Sequence, residues 1–165
     1  TSSYECVGTI IACRNLVDIY LADLRYFDDS LGEKYSLCSN YFENATMAID
    51  EMYRQVGKCE FDDNGLLKSG LVVRVLILPG HADDSKKIIE YLYKTYGDDI
   101  FISIMNQYTP VTKSLIYPNL NWTVTDSEYC DVINYACDLG VVNAFIQEGE
   151  TASESFIPDF DCSNV

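Results

Sequence analysis

The sequence is poor in basic residues, contains a single histidine and has no long apolar run. Eleven Lys and Arg stand against 26 Asp and Glu, which gives a formal net charge of -15. This charge repels nucleic acid and anionic membrane surfaces, so we expect neither as a partner. No apolar stretch approaches the roughly 20 residues of a membrane-spanning helix, and no basic and apolar leader opens the chain. These absences favour a cytoplasmic protein.

Clustered cysteines and glycine-rich phosphate loops are also missing. The seven cysteines are scattered without CxxC or CxxxC spacing, so no thiolate metal site or iron–sulfur site can be read from them. Their odd number favours reduced thiols, because a chain of 165 residues can bury a core without a disulfide framework. The multi-glycine patterns of dinucleotide sites and P-loops do not occur.

Several apolar runs are present, and they predict buried strands. The runs lie at 17–24, 71–78 and 100–105, and a short fourth strand is predicted at 143–147. Helical spacing or capping signals predict helices at 5–13, 41–56, 83–96 and 126–139. The stretch 26–40 is interpreted as polar and irregular, and 57–70 as an acidic, glycine-containing connection. Strands that alternate with helices predict an α/β protein with a parallel sheet and right-handed crossovers.

The polar residues at the strand ends are the candidates for chemistry, because ligands of α/β sheets bind at the carboxyl ends of the strands. Alternation puts Asp23 and Arg25 on one face, where they can bind a ligand's ammonium, hydroxyl or carboxylate. The alternative is a structural ion pair that closes the sheet edge. Arg74 lies inside the second strand and requires a carboxylate or a bound anion, because an unpaired buried guanidinium is costly. Asp23 is one candidate for that partner.

Neutral polar residues and the single histidine follow the other strands. Asn106, Gln107 and Tyr108 come after the third strand, where they suit either the edges of a nucleoside or the satisfaction of loop backbone. His81 follows a Pro-Gly pair just before a helix. With one histidine and no metal cluster, this position is more typical of a turn residue than of a ligand-binding residue.

Four runs carry a resemblance to a known family: VDIYLADLRYFD, GLVVRVLILPGHADDSKK, ISIMNQYTP and ASESFIPDFD. They are similar to the second half of radical S-adenosylmethionine (SAM) proteins related to pyruvate formate-lyase activating enzymes, and the similarity covers nearly the whole chain. The resemblance implies a partial (β/α) barrel at 1–148, the carboxy-terminal half of a radical SAM barrel, followed by an arm at 149–165. The family's CxxxCxxC cluster loop is absent from this sequence.

The resemblance also implies a set of SAM-binding residues at the inner strand ends. They are Ser2, Ser3, Asp23, Arg25, Arg74, Asn106, Gln107 and Tyr108. The first two match a polar turn that touches SAM, although Ser3 stands where the family usually has glycine. Asp23 and Arg25 match an acid and a base at the methionine end of SAM, and 106–108 would approach the adenine.

In the intact family, SAM and a [4Fe-4S] cluster generate a 5′-deoxyadenosyl radical that abstracts hydrogen from a substrate. The resemblance therefore implies a longer enzyme that contains this chain. Its partner would be a glycyl-radical enzyme or another protein or peptide substrate. For the chain alone it implies neither a bound cofactor nor activity, since the cluster ligands are missing. An exposed inner sheet face and an unpaired strand edge predict a dimer. The alternative reading is a non-catalytic acidic α/β domain that binds a protein partner.

Overall fold

The computed structural model of the chain describes residues 1–110 and 113–147. Its strands are β1 (Ile19–Asp23), β2 (Glu60–Phe61), β3 (Leu67–Leu76), β4 (Phe101–Met105) and β5 (Ala144–Ile146). Its α-helices are α1 (Val7–Ala12), α2 (Asp29–Ser36), α3 (Tyr41–Val56), α4 (Ala82–Tyr96) and α5 (Asp126–Leu139). Two short 3-10 helices, Gly97–Asp99 and Pro118–Asn121, lie before and after β4. The arm predicted at 149–165 lies outside the described residues.

Four of the strands form a parallel sheet in the order β1-β3-β4-β5, and β2 pairs with β3 in the antiparallel sense. The register places Asp23 beside Arg74 and Arg74 beside Ser103. Because parallel strands share a direction, the carboxyl ends of β1, β3 and β4 meet at one edge of the sheet. The predicted α/β class and parallel sheet are confirmed.

The core lies on one face of the sheet. Along β1, Tyr20 and Ala22 are buried, whereas the intervening Leu21 is 50% exposed. Alternate residues of β3 and β4 join Ala22 and Leu24 in a single apolar cluster with residues of α3, α4 and α5. On the open face, Phe145 of β5 is 48% exposed and its ring stacks on that of Phe101 in β4. The helices therefore cover one side of the sheet and leave the other side open.

Strand order and the single helical layer together distinguish two kinds of parallel sheet. A doubly wound sheet reverses its strand order at a switch point and carries helices on both faces. A (β/α) barrel instead adds each strand beside the preceding one and keeps its helices outside. The sheet described here has its parallel strands in chain order, so it is compatible with a partial β/α barrel.

The long periodic elements lie where the sequence predicts them. The predicted helix at 41–56 coincides with α3, and the other predicted helices and strands match within a few residues, except that β3 begins at Leu67, four residues before the predicted start. The capping box of α5 is present, because Thr125 accepts from the backbone of Glu128 and the Glu128 side chain accepts from the backbone of Thr125. In the two described stretches, no helix has the combination of length and apolarity that crossing a membrane requires.

The connections at 26–40 and 57–70 both contain regular structure, so the interpretation of 26–40 as irregular is wrong for part of that stretch. The stretch 57–70 contains β2 and the start of β3, which pair as a hairpin. The stretch 26–40 contains α2, whose first turn is capped by the carboxylate of Asp28 accepting from Ser30 N at 2.9 Å. A glycine inside a short polar helix hides this element from the sequence pattern. Packing explains the glycine, because a Cβ on Gly32 would lie 2.9 Å from Cβ of Tyr41.

Candidate functional site at the carboxyl edge of the sheet

A carboxylate and two guanidinium groups meet where β1 and β3 end. Asp23 Oδ1 accepts from Arg74 Nε at 2.6 Å, and Asp23 Oδ2 accepts from Arg25 Nη2 at 3.1 Å. The side chain of Asp23 is 15% exposed, against 46% for Arg25 and 37% for Arg74. The pairing of Asp23 with Arg74 and the shared face of Asp23 and Arg25 are both confirmed. The sequence anticipates this cluster because lateral register and period-two alternation determine it.

This cluster has an excess of positive charge. Two guanidinium groups share one carboxylate, and both retain exposed area. Burial lowers the pKa of Arg25, but the hydrogen bond and charge of Asp23 more than offset this, so the pKa lies above its ordinary value. Arg25 therefore remains cationic, and the cluster can accept a ligand carboxylate even though the whole chain is strongly acidic.

A cavity of about 180 Å³ opens beside the cluster. Its lining consists of Asp23, Arg25, Arg74, Leu76, Met105 and Gln107. These residues come from the ends of three adjacent strands, so the site is carried by rigid elements rather than by one loop. The structure thus brings four of the eight predicted SAM-binding residues around one cavity.

Tyr41, the first residue of α3, fixes the backbone around the cluster. Its hydroxyl accepts from Arg25 N at 3.0 Å and lies within donating distance of two carbonyls, Ser2 O at 3.2 Å and Asp23 O at 3.3 Å. Tyr41 is 3% exposed, and burial raises the pKa of its hydroxyl well above the ordinary value. The hydroxyl therefore stays protonated and holds the end of β1 to the segment that carries Ser2.

The first residues of the chain pair with the edge of β1. Thr1 N donates to Leu21 O at 2.8 Å and Thr1 O accepts from Asp23 N at 2.9 Å, which is the bonding pattern of a parallel strand. Ser3, close behind, is fully buried and has φ of 62°. Among residues 1–110 and 113–147, its hydroxyl has no hydrogen-bond partner, and neither does the buried Oε2 of Glu5. Orphaned buried polar atoms are costly, so these two atoms point to a ligand that completes their hydrogen bonds.

The three predicted residues after β4 separate into different environments. Asn106 lies at the sheet edge, where its backbone N–H donates to Gln147 Oε1 at 3.0 Å. Gln107 lines the cavity with the arginine cluster. The hydroxyl of Tyr108 donates to Leu120 O at 2.8 Å, and its ring lines a second cavity nearby. Gln107 and Tyr108 therefore each line a cavity, and their part in binding a ligand stays a prediction.

A second polar network near this edge was not predicted. The hydroxyl of Tyr35 lies 2.9 Å from His81 Nε2 and 3.0 Å from Asn119 Nδ2. His81 does precede α4 as a turn residue, but its ring also takes part in this network, and burial lowers its pKa. The three residues are far apart in the chain and come from α2, a turn and a 3-10 helix. No spacing in the sequence links them.

Comparisons with known proteins add a distant relative. No protein-family model matches the chain, and no solved structure matches it. An uncharacterized protein of Methanocaldococcus jannaschii is 28% identical over 133 residues, which cover 78% of this chain and 34% of the relative. The chain thus spans about a third of the length of the curated relative that it matches, and it is similar to a protein whose function is itself not established.

Proposed function

We propose that this chain is part of a radical SAM enzyme of the pyruvate formate-lyase activating type, and that it supplies part of the SAM site. The observation that carries the proposal is the cluster of Asp23, Arg25 and Arg74 at the carboxyl ends of adjacent parallel strands. A methionine moiety presents an ammonium and a carboxylate side by side. The carboxylate can accept from the guanidinium groups while the ammonium donates to Asp23.

Further observations fit a ligand larger than an amino acid. The orphaned hydroxyl of Ser3 and the orphaned carboxylate oxygen of Glu5 lie near one end of this edge, and both can bond hydroxyl groups. Gln107 and Tyr108 lie near the other end, and their amide and ring suit a base. The same edge thus offers separate groups for a methionine end, a sugar and a base.

The pairing of Thr1 with β1 supports a sheet that continues beyond β1. A parallel segment already occupies the carboxyl end of that edge. In our proposal, the strand that pairs with β1 in this register belongs to the other half of the barrel. That half closes over the open sheet face. The exposed apolar side chains on that face, such as Leu21 and Phe145, then become buried.

SAM held by Asp23, Arg25 and Arg74 would supply, beside a reduced [4Fe-4S] cluster, the radical chemistry used in glycyl-radical activation. Among residues 1–110 and 113–147 no group of His, Cys, Asp or Glu side chains is arranged to hold a metal. The part of these residues is to bind, orient and desolvate SAM.

The test uses the full-length protein that contains this chain. After anaerobic cluster reconstitution, dithionite and SAM are added and 5′-deoxyadenosine is measured by chromatography. We expect product from the native protein and at least a tenfold loss in the Asp23→Ala/Arg25→Ala variant, because both anchors of the methionine end are removed.

The control is Glu90→Ala/Lys94→Ala, which removes an acid–base pair of α4 that lies outside the proposed site. It should retain full production. No 5′-deoxyadenosine from a properly reconstituted native protein contradicts the proposal and leaves the acidic binding domain as the better reading. Equal loss in both double variants contradicts the assigned site.

A further inference from the structure

A second cavity adjoins the arginine cluster and differs from the first in chemistry. Its volume is about 210 Å³. Its lining consists of Arg25, Tyr26, Tyr35, Ser36, Leu76, Leu78, Tyr108 and Leu120. Three tyrosine rings and three leucines therefore form most of its wall, and among the described residues Arg25 is the one lining residue with a formal charge.

The three tyrosine hydroxyls are engaged with the protein. The hydroxyl of Tyr26 lies 2.8 Å from Ser36 Oγ, and that of Tyr108 donates to Leu120 O at 2.8 Å. The hydroxyl of Tyr35 is bonded within the network described above. A ligand in this cavity therefore meets ring and aliphatic carbon rather than free hydroxyl groups, which favours an apolar guest.

The Tyr35 side of the wall is held in place before any ligand arrives. The Tyr35 hydroxyl lies 2.9 Å from His81 Nε2 and accepts from Asn119 Nδ2 at 3.0 Å. The ring of Tyr35 also makes edge contacts with those of His81 and Tyr117, at centroid distances of 5.5 and 5.1 Å. A wall fixed in this way loses little conformational entropy on binding.

Arg25 connects the two cavities. It lines both of them, as does Leu76. One of its amino groups, Nη2, donates to Asp23, and its side chain is still 46% exposed. The remaining donors of its planar fork can receive an anion at the mouth of the tyrosine-lined cavity.

We propose that the tyrosine-lined cavity binds a small aromatic carboxylate, with the ring among Tyr26, Tyr35 and Tyr108 and the carboxylate on Arg25. The volume of about 210 Å³ is sufficient for one substituted ring, since a dry cavity of about 150 Å³ holds benzene. This site does not depend on SAM or on radical chemistry. If the proposed function holds, the bound ring compound lies next to the SAM site and is a candidate substrate or effector.

The test titrates the 165-residue chain with phenylacetate and follows backbone amide shifts by NMR. For a ligand of this size we expect saturable binding with a Kd of about 1 mM. The largest shifts should occur around Tyr35, Leu78 and Tyr108. Acetate carries the charge alone and 2-phenylethanol carries the ring alone. Each should bind at least tenfold more weakly than phenylacetate.

Two variants assign the site. Leu120→Trp fills the cavity from its loop side and should abolish binding, whereas Arg25→Gln keeps the cavity and should weaken binding at least tenfold. Arg54→Gln, a charge change at an exposed arginine of α3, is the control and should bind as the native chain does. Circular dichroism of each variant checks that it is folded.

Phenylacetate binding that survives Leu120→Trp, or that acetate matches, overturns the proposal. The absence of saturable binding to the native chain overturns it as well. Failure of the 5′-deoxyadenosine assay affects the proposed function alone, since this titration needs neither SAM nor a cluster.

Discussion

Replacement of Ser3 by alanine should make the isolated chain more stable, which is the reverse of the usual effect of a substitution at a buried residue. Ser3 is fully buried, and its hydroxyl has no hydrogen-bond partner in the part of the chain that the structure describes. A buried hydroxyl without a hydrogen bond costs about 1–3 kcal/mol relative to one in water. Ser3→Ala removes that cost. The void left by one oxygen atom offsets it by only about 0.5 kcal/mol.

The expected gain in the free energy of unfolding is therefore about 1 kcal/mol for Ser3→Ala. Ser3→Gly should raise the free energy of unfolding by about as much. It also relieves the left-handed φ of 62°, but the glycine adds backbone entropy to the unfolded chain, and these two effects oppose each other. Thr46→Val is the matched control. The hydroxyl of Thr46 is buried but donates to Phe42 O at 2.8 Å, so its removal should cost about 1 kcal/mol.

Urea denaturation followed by circular dichroism measures all three variants against the native chain. A Ser3→Ala variant that unfolds at lower urea than the native chain refutes the reasoning, since it means that the hydroxyl has a partner in the folded state. In the full-length protein the same variant should bind SAM more weakly. A stabilised variant with unchanged SAM affinity separates the orphaned hydroxyl from the proposed cofactor site.

Four further predictions follow from the described contacts. A double-mutant cycle of Asp23→Asn and Arg74→Gln, measured by urea denaturation, should give a coupling of about 1–2 kcal/mol, between the values of exposed and buried pairs; a coupling near zero contradicts a tight contact. Because burial lowers the folded-state pKa of His81, the unfolded chain binds the proton more readily, so stability should fall as pH drops below about 6.5. His81→Gln should flatten that slope, and an unchanged slope would assign it to other groups. Gly70→Ala should destabilise by about 3 kcal/mol in thermal unfolding, since its Cβ would lie 2.7 Å from Cα of Cys59; a native melting temperature would be inconsistent with that contact. Light scattering at several concentrations should show dimers of the isolated chain through its open sheet face, and a concentration-independent monomer counts against this.

The sheet and the arginine cluster were open to prediction because both depend on short-range rules. Apolar runs mark buried strands, alternation assigns Asp23 and Arg25 to one face, and a guanidinium inside an apolar strand requires an acid beside it. The helix α2 could not be predicted, because the glycine inside it is explained only by the close approach of Tyr41 to Gly32. That approach is visible only in the tertiary structure.

The tyrosine-lined cavity was hidden for a related reason. Its Tyr35 lies on the unpredicted helix, and the residues that fix it, His81 and Asn119, come from turns and a 3-10 helix far along the chain. Local patterns carry no information on which loop residues meet. The hydroxyl of Ser3 was flagged through the family resemblance, but its lack of a partner is visible only in three dimensions.

The chain-order sheet also affects how the protein is made. Each parallel strand packs beside the one synthesised before it, from β1 to β3, β4 and β5. A strand that leaves the ribosome therefore meets a neighbour that has already been synthesised. Among the described parallel strands, no later strand has to insert between two earlier ones. Such a sheet can grow by one strand and one helix at a time during translation, with its advancing edge as the template for the next unit.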